Sequence, residues 1–173
     1  MKVITIVVVL FITGIFNPFK YNPPFYNTLN TIEYCDSTPV LNSSIIDFVK
    51  KNLKKKVGQG ECWDLAAVPL NQLGASWDKM YQFGKVVDYQ SDCIYPGDII
   101  QFEGVQLKYK EGNVTHNIFM DHHTAIVYQV LGIGTYKIAH QNTDVEGKKV
   151  SIANLNLANI IKGTFTIYRP VKE

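Results

Sequence analysis

The sequence predicts an α+β domain in which N-terminal helices pack on an antiparallel β-sheet. Two observations predict it. Apolar residues recur at helical spacing between residues 44 and 74, then at alternate positions from residue 99 onward. The alternating segments are short and divided by turns rich in Gly and Asn, which suits consecutive antiparallel strands rather than strand–helix–strand units. A chain of 173 residues, 46% hydrophobic and 18% charged, has the size and composition of one globular domain.

The first segment is Met1-Lys2, then an apolar run over residues 3–16, then Asn17-Pro18. A basic start and a run of that length read as a secretory signal peptide, with a short membrane anchor as the alternative. A spanning helix needs roughly 20 apolar residues. Gly14 is the small residue nearest a cleavage site. Residues 17–42 hold four of the seven prolines and show no periodicity, so they are expected to form an extended linker. Residues 43–173 are then the domain.

Within it, Ser44-Ile45-Ile46-Asp47 reads as a capped helix start. Ile45, Ile46, Val49, Leu53 and Val57 follow at helical spacing, opposite Lys50, Lys51, Lys54, Lys55 and Lys56, which read as a solvated face. A second helix is expected from about Cys62, with Trp63, Ala66, Ala67 and Leu70 on one face. Pro69 should kink it or end it near Val68, because proline removes a hydrogen bond and crowds the preceding turn. Strands are expected over 99–102, 106–110, 123–131, 135–141, 148–153 and 164–168. Gly132-Ile133-Gly134 would turn a hairpin, and 155–161 would form a short helix.

Composition narrows the function. The net charge is +2, and Arg169 is the single arginine among 17 basic residues. Nucleic-acid readers rely on arginine for bidentate contacts, so that class is disfavoured. Membrane contact is expected only through an uncleaved first segment. Three cysteines leave one unpaired in an oxidising compartment. The most economical pairing joins Cys35 to Cys93 and leaves Cys62 free; three reduced thiols in a cytosolic protein are the alternative. Sequons at Asn42 and Asn113 fit a secreted or lumenal route. No cofactor is expected, and His116, His122, His123 and His140 with Asp121 match no metal-ligand spacing.

Cys62 carries the functional reading. It lies in Gly58-Gln59-Gly60-Glu61-Cys62-Trp63-Asp64, a glycine-flexed turn entering a helix, where unpaired N–H groups and the helix dipole favour a thiolate. A cysteine nucleophile also needs a base and a group that orients the base. His123 is the expected base, its ring directed off the sheet toward the helix. His140, on the next strand with Asn142, is the expected orienting group. His122 should point the other way unless a bulge exchanges the two. The Cys62 N–H and the Gln59 side chain are candidate oxyanion donors.

Four blocks in order carry a resemblance: Gly-x-Gly-Glu-Cys62-Trp-Asp-Leu-Ala, Pro96-Gly97-Asp98-Ile99-Ile100-Gln101-Phe102, His122-His123-Thr124-Ala125-Ile126-Val127 and His140-Gln141-Asn142. Over roughly residues 44–170 the chain resembles the NlpC/P60 and CHAP branch of papain-like folds. Most closely it resembles the cysteine-proteinase-fold domain at the C-terminus of fungal myosin-tail-interacting actin-patch proteins. The resemblance implies Cys62 and His123 as the reacting pair, with a polar third position at His140. For the peptidase branches it implies peptide or amide substrates, often in bacterial cell walls; for the actin-patch domain it implies the fold alone. A catalytically inactive binding domain of the same fold is the alternative.

Overall fold

The computed structural model describes residues 35 and 37–172. The signal or anchor segment and most of the expected linker lie outside them. Helix α1 spans Val40–Asn52 and α2 spans Asp64–Gln72. Among the described residues six strands follow: β1 Lys85–Val87, β2 Ile99–Glu111, β3 Val114–Gly132, β4 Thr135–His140, β5 Ser151–Asn156 and β6 Ile160–Arg169. They form one sheet in the order β1-β6-β2-β3-β4-β5, and every neighbouring pair is antiparallel. The expected α+β architecture is what the chain forms.

Several local expectations are corrected. Helix α1 begins at Val40, with Pro39 at its N-cap and no side-chain cap; the Ser44 hydroxyl instead donates back to the Val40 carbonyl at 3.0 Å. The apolar stripe Ile45, Ile46 and Val49 is buried as the periodicity requires. Asn42 falls in the first helical turn and has no solvent exposure. Its Nδ2 donates to Asp98 Oδ1 at 2.8 Å and to the Pro96 carbonyl at 3.2 Å. A glycan cannot occupy that nitrogen in this fold. Asn113, at the β2–β3 turn, is exposed.

Helix α2 runs through Pro69 to Gln72. Proline costs it one hydrogen bond, and burial of Leu65, Ala66 and Leu70 offsets the loss. The last turn closes through Leu73 N–H to the Pro69 carbonyl at 2.9 Å. The two strands expected over 99–110 are one strand. Gly104 adopts φ 57° inside it, a conformation glycine takes without strain, so the ribbon kinks there and continues. Strand β1 was not legible in three residues. The expected helix at 155–161 is only a 3₁₀ turn, Leu157–Asn159, because Leu155 pairs with Tyr136 in one strand and Ile160 with Leu107 in the next.

The sheet has a core on each face. Ile99, Ile126 and Ala139 pack with Ile45, Val49, Leu65 and Leu70, so this face carries the helices. The alternate residues Ile100, Phe102, Ala125, Val127 and Ile138 point the other way. They form a second core with Tyr136, Leu155 and Ile167.

One buried anchor joins the parts. Asp98 has no exposure; it accepts from Asn42 Nδ2, from the Tyr95 N–H at 2.9 Å, and from Arg169 Nε and Nη2 at 3.2 and 2.9 Å. Arg169 Nη2 also donates to the Cys93 carbonyl. Cys93 is bonded to Cys35, with Cα atoms 5.6 Å apart, and Cys62 is a free thiol.

Candidate active site

The turn before α2 is built from glycines and one carboxylate. Gly58 and Gly60 adopt φ 59° and 87°, where a side chain would be strained. A Cβ on Gly58 would meet Asp64 at 2.6 Å. Asp64, in the first helical turn, accepts the N–H groups of Gln59 and Glu61 at 2.8 and 3.0 Å. Cys62 therefore sits at the head of α2, half-buried, and among the described residues its main-chain N–H has no partner. The Gln59 side chain is exposed and makes no hydrogen bond among the described residues.

Gln141 ties this turn to the sheet. It is wholly buried at the end of β4, and its amide imitates a strand neighbour. Oε1 accepts the Val57 N–H at 3.1 Å, and Nε2 donates to the carbonyls of Val57 and Glu61 at 3.0 and 2.7 Å. Outside it, Glu61 holds Lys148 Nζ at 2.6 Å and Asn142 Nδ2 at 2.9 Å. Asn142 thus fastens the turn rather than either imidazole. The Gln141 role is nonlocal: the residues it binds are about 80 positions away.

The two neighbouring histidines separate. His123 and His140 do come together: His123 Nε2 lies 3.3 Å from His140 Nδ1, and the rings meet edge to face with centroids 5.4 Å apart. Phe102 stacks on His123. Burial, then the neighbouring His140 and His122, depress the His123 pKa to about 4. Burial brings His140 to about 4 as well. Their strand parity is that of Phe102, Ala125 and Ile138, so both rings lie on the face away from the helices. The expectation that His123 points toward the helix is corrected. The alternation of His122 and His123 holds, but the helices cover the other face.

His122 lies on the helix-bearing face, in phase with Thr124 and Ile126. Its Nδ1 donates to Glu103 Oε2 at 2.8 Å, across the β2–β3 pair. Gln101 Nε2 donates to the other Glu103 oxygen at 2.9 Å, and Thr124 Oγ1 donates to Gln101 Oε1 at 2.6 Å. Partial burial pushes the Glu103 carboxyl up, but the bonds from His122 and Gln101 outweigh it and hold its pKa below the usual value. Tyr81 meets the His122 ring edge-on with centroids 4.1 Å apart, and Tyr81 in turn packs near Trp63 at 6.4 Å. The Cys62 thiol lies 3.8 Å from the main-chain carbonyl of His122. No hydrogen bond joins it to the His123 ring among the described residues. Two surface clefts, of about 340 and 370 Å³, lie elsewhere, lined by residues such as Ser43 and Tyr128 or Trp77 and Lys85.

A free thiol at a helix head, set against histidine-bearing strands of an antiparallel sheet, defines a cysteine-proteinase fold. Residues 36–173 match the AIM3/BBC1 cysteine proteinase-fold domain, and the chain belongs to that family. Among solved structures it is similar to the crystal structure of Ly7917, at 17% identity and a TM-score of 0.45 over 73% of this chain. It is likewise similar to Ly7917 with the hydrolyzing product of MDP, at 17% identity and a TM-score of 0.47 over 75% of this chain. Each alignment spans 62% of the Ly7917 chain. No curated protein matches in sequence.

Proposed function

We propose that this domain is a thiol-dependent hydrolase, or acyl transferase, acting on an amide bond in a peptide-like substrate, in a secreted or lumenal setting. Cys62 attacks the carbonyl carbon, an adjacent imidazole takes the thiol proton and returns it to the leaving amine, and the Cys62 N–H faces the developing oxyanion. The observation that carries this reading is the placement of Cys62, free and half-buried at the head of α2 with that N–H unpartnered among the described residues. Family membership supports the fold on which it rests. The expectation made His123 the base with His140 orienting it; the two rings meet at 3.3 Å, but on the sheet face away from α2 and Cys62.

A binding domain without turnover is the second reading. It is favoured by one observation: the thiol is directed to a main-chain carbonyl and not to a ring nitrogen. Iodoacetamide labelling of the purified protein, with the modified residue located by mass spectrometry, separates the two. Selective labelling of Cys62 well below the pH at which free cysteine reacts supports the hydrolase. A Cys62 that reacts only after denaturation overturns it.

A further inference from the structure

We propose that the imidazole serving Cys62 is His122, oriented by Glu103, and that the His123–His140 pair is structural. This assignment rests on the thiol-hydrolase reading above.

Position is the first argument. Cys62 heads α2, and α2 packs on the face of the sheet that carries Ile99, Ile126 and Ala139. His122 is on that face; His123 and His140 are on the opposite one. The ring of His122 is further tied to the neighbourhood of Cys62 by Tyr81, which touches it and packs near Trp63, the residue after the thiol.

Hydrogen bonding is the second. A base must be held in one tautomer with its reactive nitrogen free. Glu103 fixes the proton of His122 on Nδ1 at 2.8 Å, and Gln101 with Thr124 holds the carboxylate from behind. Nε2 of His122 has no partner among the described residues. In His123 the Nε2 position is already engaged by His140, and the His123 ring is buried. Charge is the third. As His122 gains a proton it becomes an imidazolium beside the ionised Glu103, an attraction His123 lacks beside a neutral His140.

The step balances without further reagents except water. The thiol proton moves from Sγ to His122 Nε2 as the C–S bond forms. It passes to the amine nitrogen as the C–N bond breaks. Water, deprotonated by His122, then forms the C–O bond as the C–S bond breaks, and His122 returns that proton to Sγ. Glu103 keeps its charge throughout and is a positioning residue.

The test compares rates of iodoacetamide labelling at Cys62 from pH 5 to 9 in the full chain and in His122→Asn, Glu103→Gln and His123→Gln. His122 and Glu103 are both exposed, so their replacements should melt near the parent temperature. The expected result is a loss of about tenfold in labelling near pH 6.5 for His122→Asn, with the profile reduced to the single rise of an unassisted thiol. Glu103→Gln should lose about threefold and shift the lower limb of that profile, which a merely structural change would not do. His123→Gln should lower the melting temperature and leave the labelling profile in place. If His123→Gln removes the low-pH reactivity and His122→Asn leaves it intact, the assignment is overturned while the hydrolase reading stands. If Cys62 in the parent labels no faster than free cysteine at any pH, the hydrolase reading fails and the assignment with it.

Discussion

His123 Nε2 and His140 Nδ1 lie 3.3 Å apart on the face of the sheet that the helices do not cover. One ring must donate and the other accept, so the contact exists only while at least one of the two is unprotonated on the facing nitrogen. Burial enforces that condition by holding both pKa values near 4.

That pair predicts an acid-sensitive fold. Each histidine titrates near 6.5 when unfolded and near 4 when folded, so the unfolded chain binds more protons in between. Stability is therefore full above about pH 6.5 and falls as the pH drops toward about 4, by roughly 3 kcal/mol for an independent site. Urea unfolding between pH 7.5 and 4 measures the slope; replacing His140 with Gln should flatten it. An unchanged slope in that variant would place the acid sensitivity elsewhere.

Gln141 is predicted to govern both stability and thiol position. Gln141→Leu keeps the volume but strands the Val57 N–H in the interior and removes one bond from each of the Val57 and Glu61 carbonyls, which keep only those from the Gly60 and Asp64 N–H groups. The expected cost is about 2–4 kcal/mol, with slower Cys62 labelling at temperatures where the variant is folded. Labelling at the parental rate would mean that Asp64 alone shapes the turn.

The buried ion pair makes a sharper prediction. Arg169→Met leaves Asp98 without exposure and without its positive partner, while Asn42 and the Tyr95 N–H remain. Losing one member of a buried pair costs about 3–5 kcal/mol. Replacing both, as Arg169→Met with Asp98→Asn, should recover part of it. Denaturant midpoints of the single and double variants decide the matter.

The disulfide closes a stretch of 58 residues between Cys35 and Cys93. Loop entropy alone gives an upper figure of about 4 kcal/mol for a loop of that length. Cys35→Ser with Cys93→Ser should lower the urea midpoint accordingly and leave Cys62 as the single thiol. A midpoint unchanged in the double variant would show that Asp98 and Arg169 anchor this region without the bridge.

Sequence periodicity alone determined the architecture of helices followed by antiparallel strands. A glycine-flexed turn into an apolar helical pattern placed Cys62 at a helix head. Alternation also determined that His122 and His123 point to opposite faces. It did not determine which face the helices cover, because residues 122–127 are apolar enough on both sides to bury either. Tertiary packing decided that: the helices pack on Ile126, and a second core forms behind Ala125 and Val127. The role of Glu103 is not legible in the sequence for a related reason. Its bond to His122 depends on the β2–β3 register, which is set by a hairpin turn at Gly112 and Asn113 far from either residue. Local sequence fixes which elements form and how side chains alternate along them. Only contacts between distant elements choose the face, the register and hence the neighbours of Cys62.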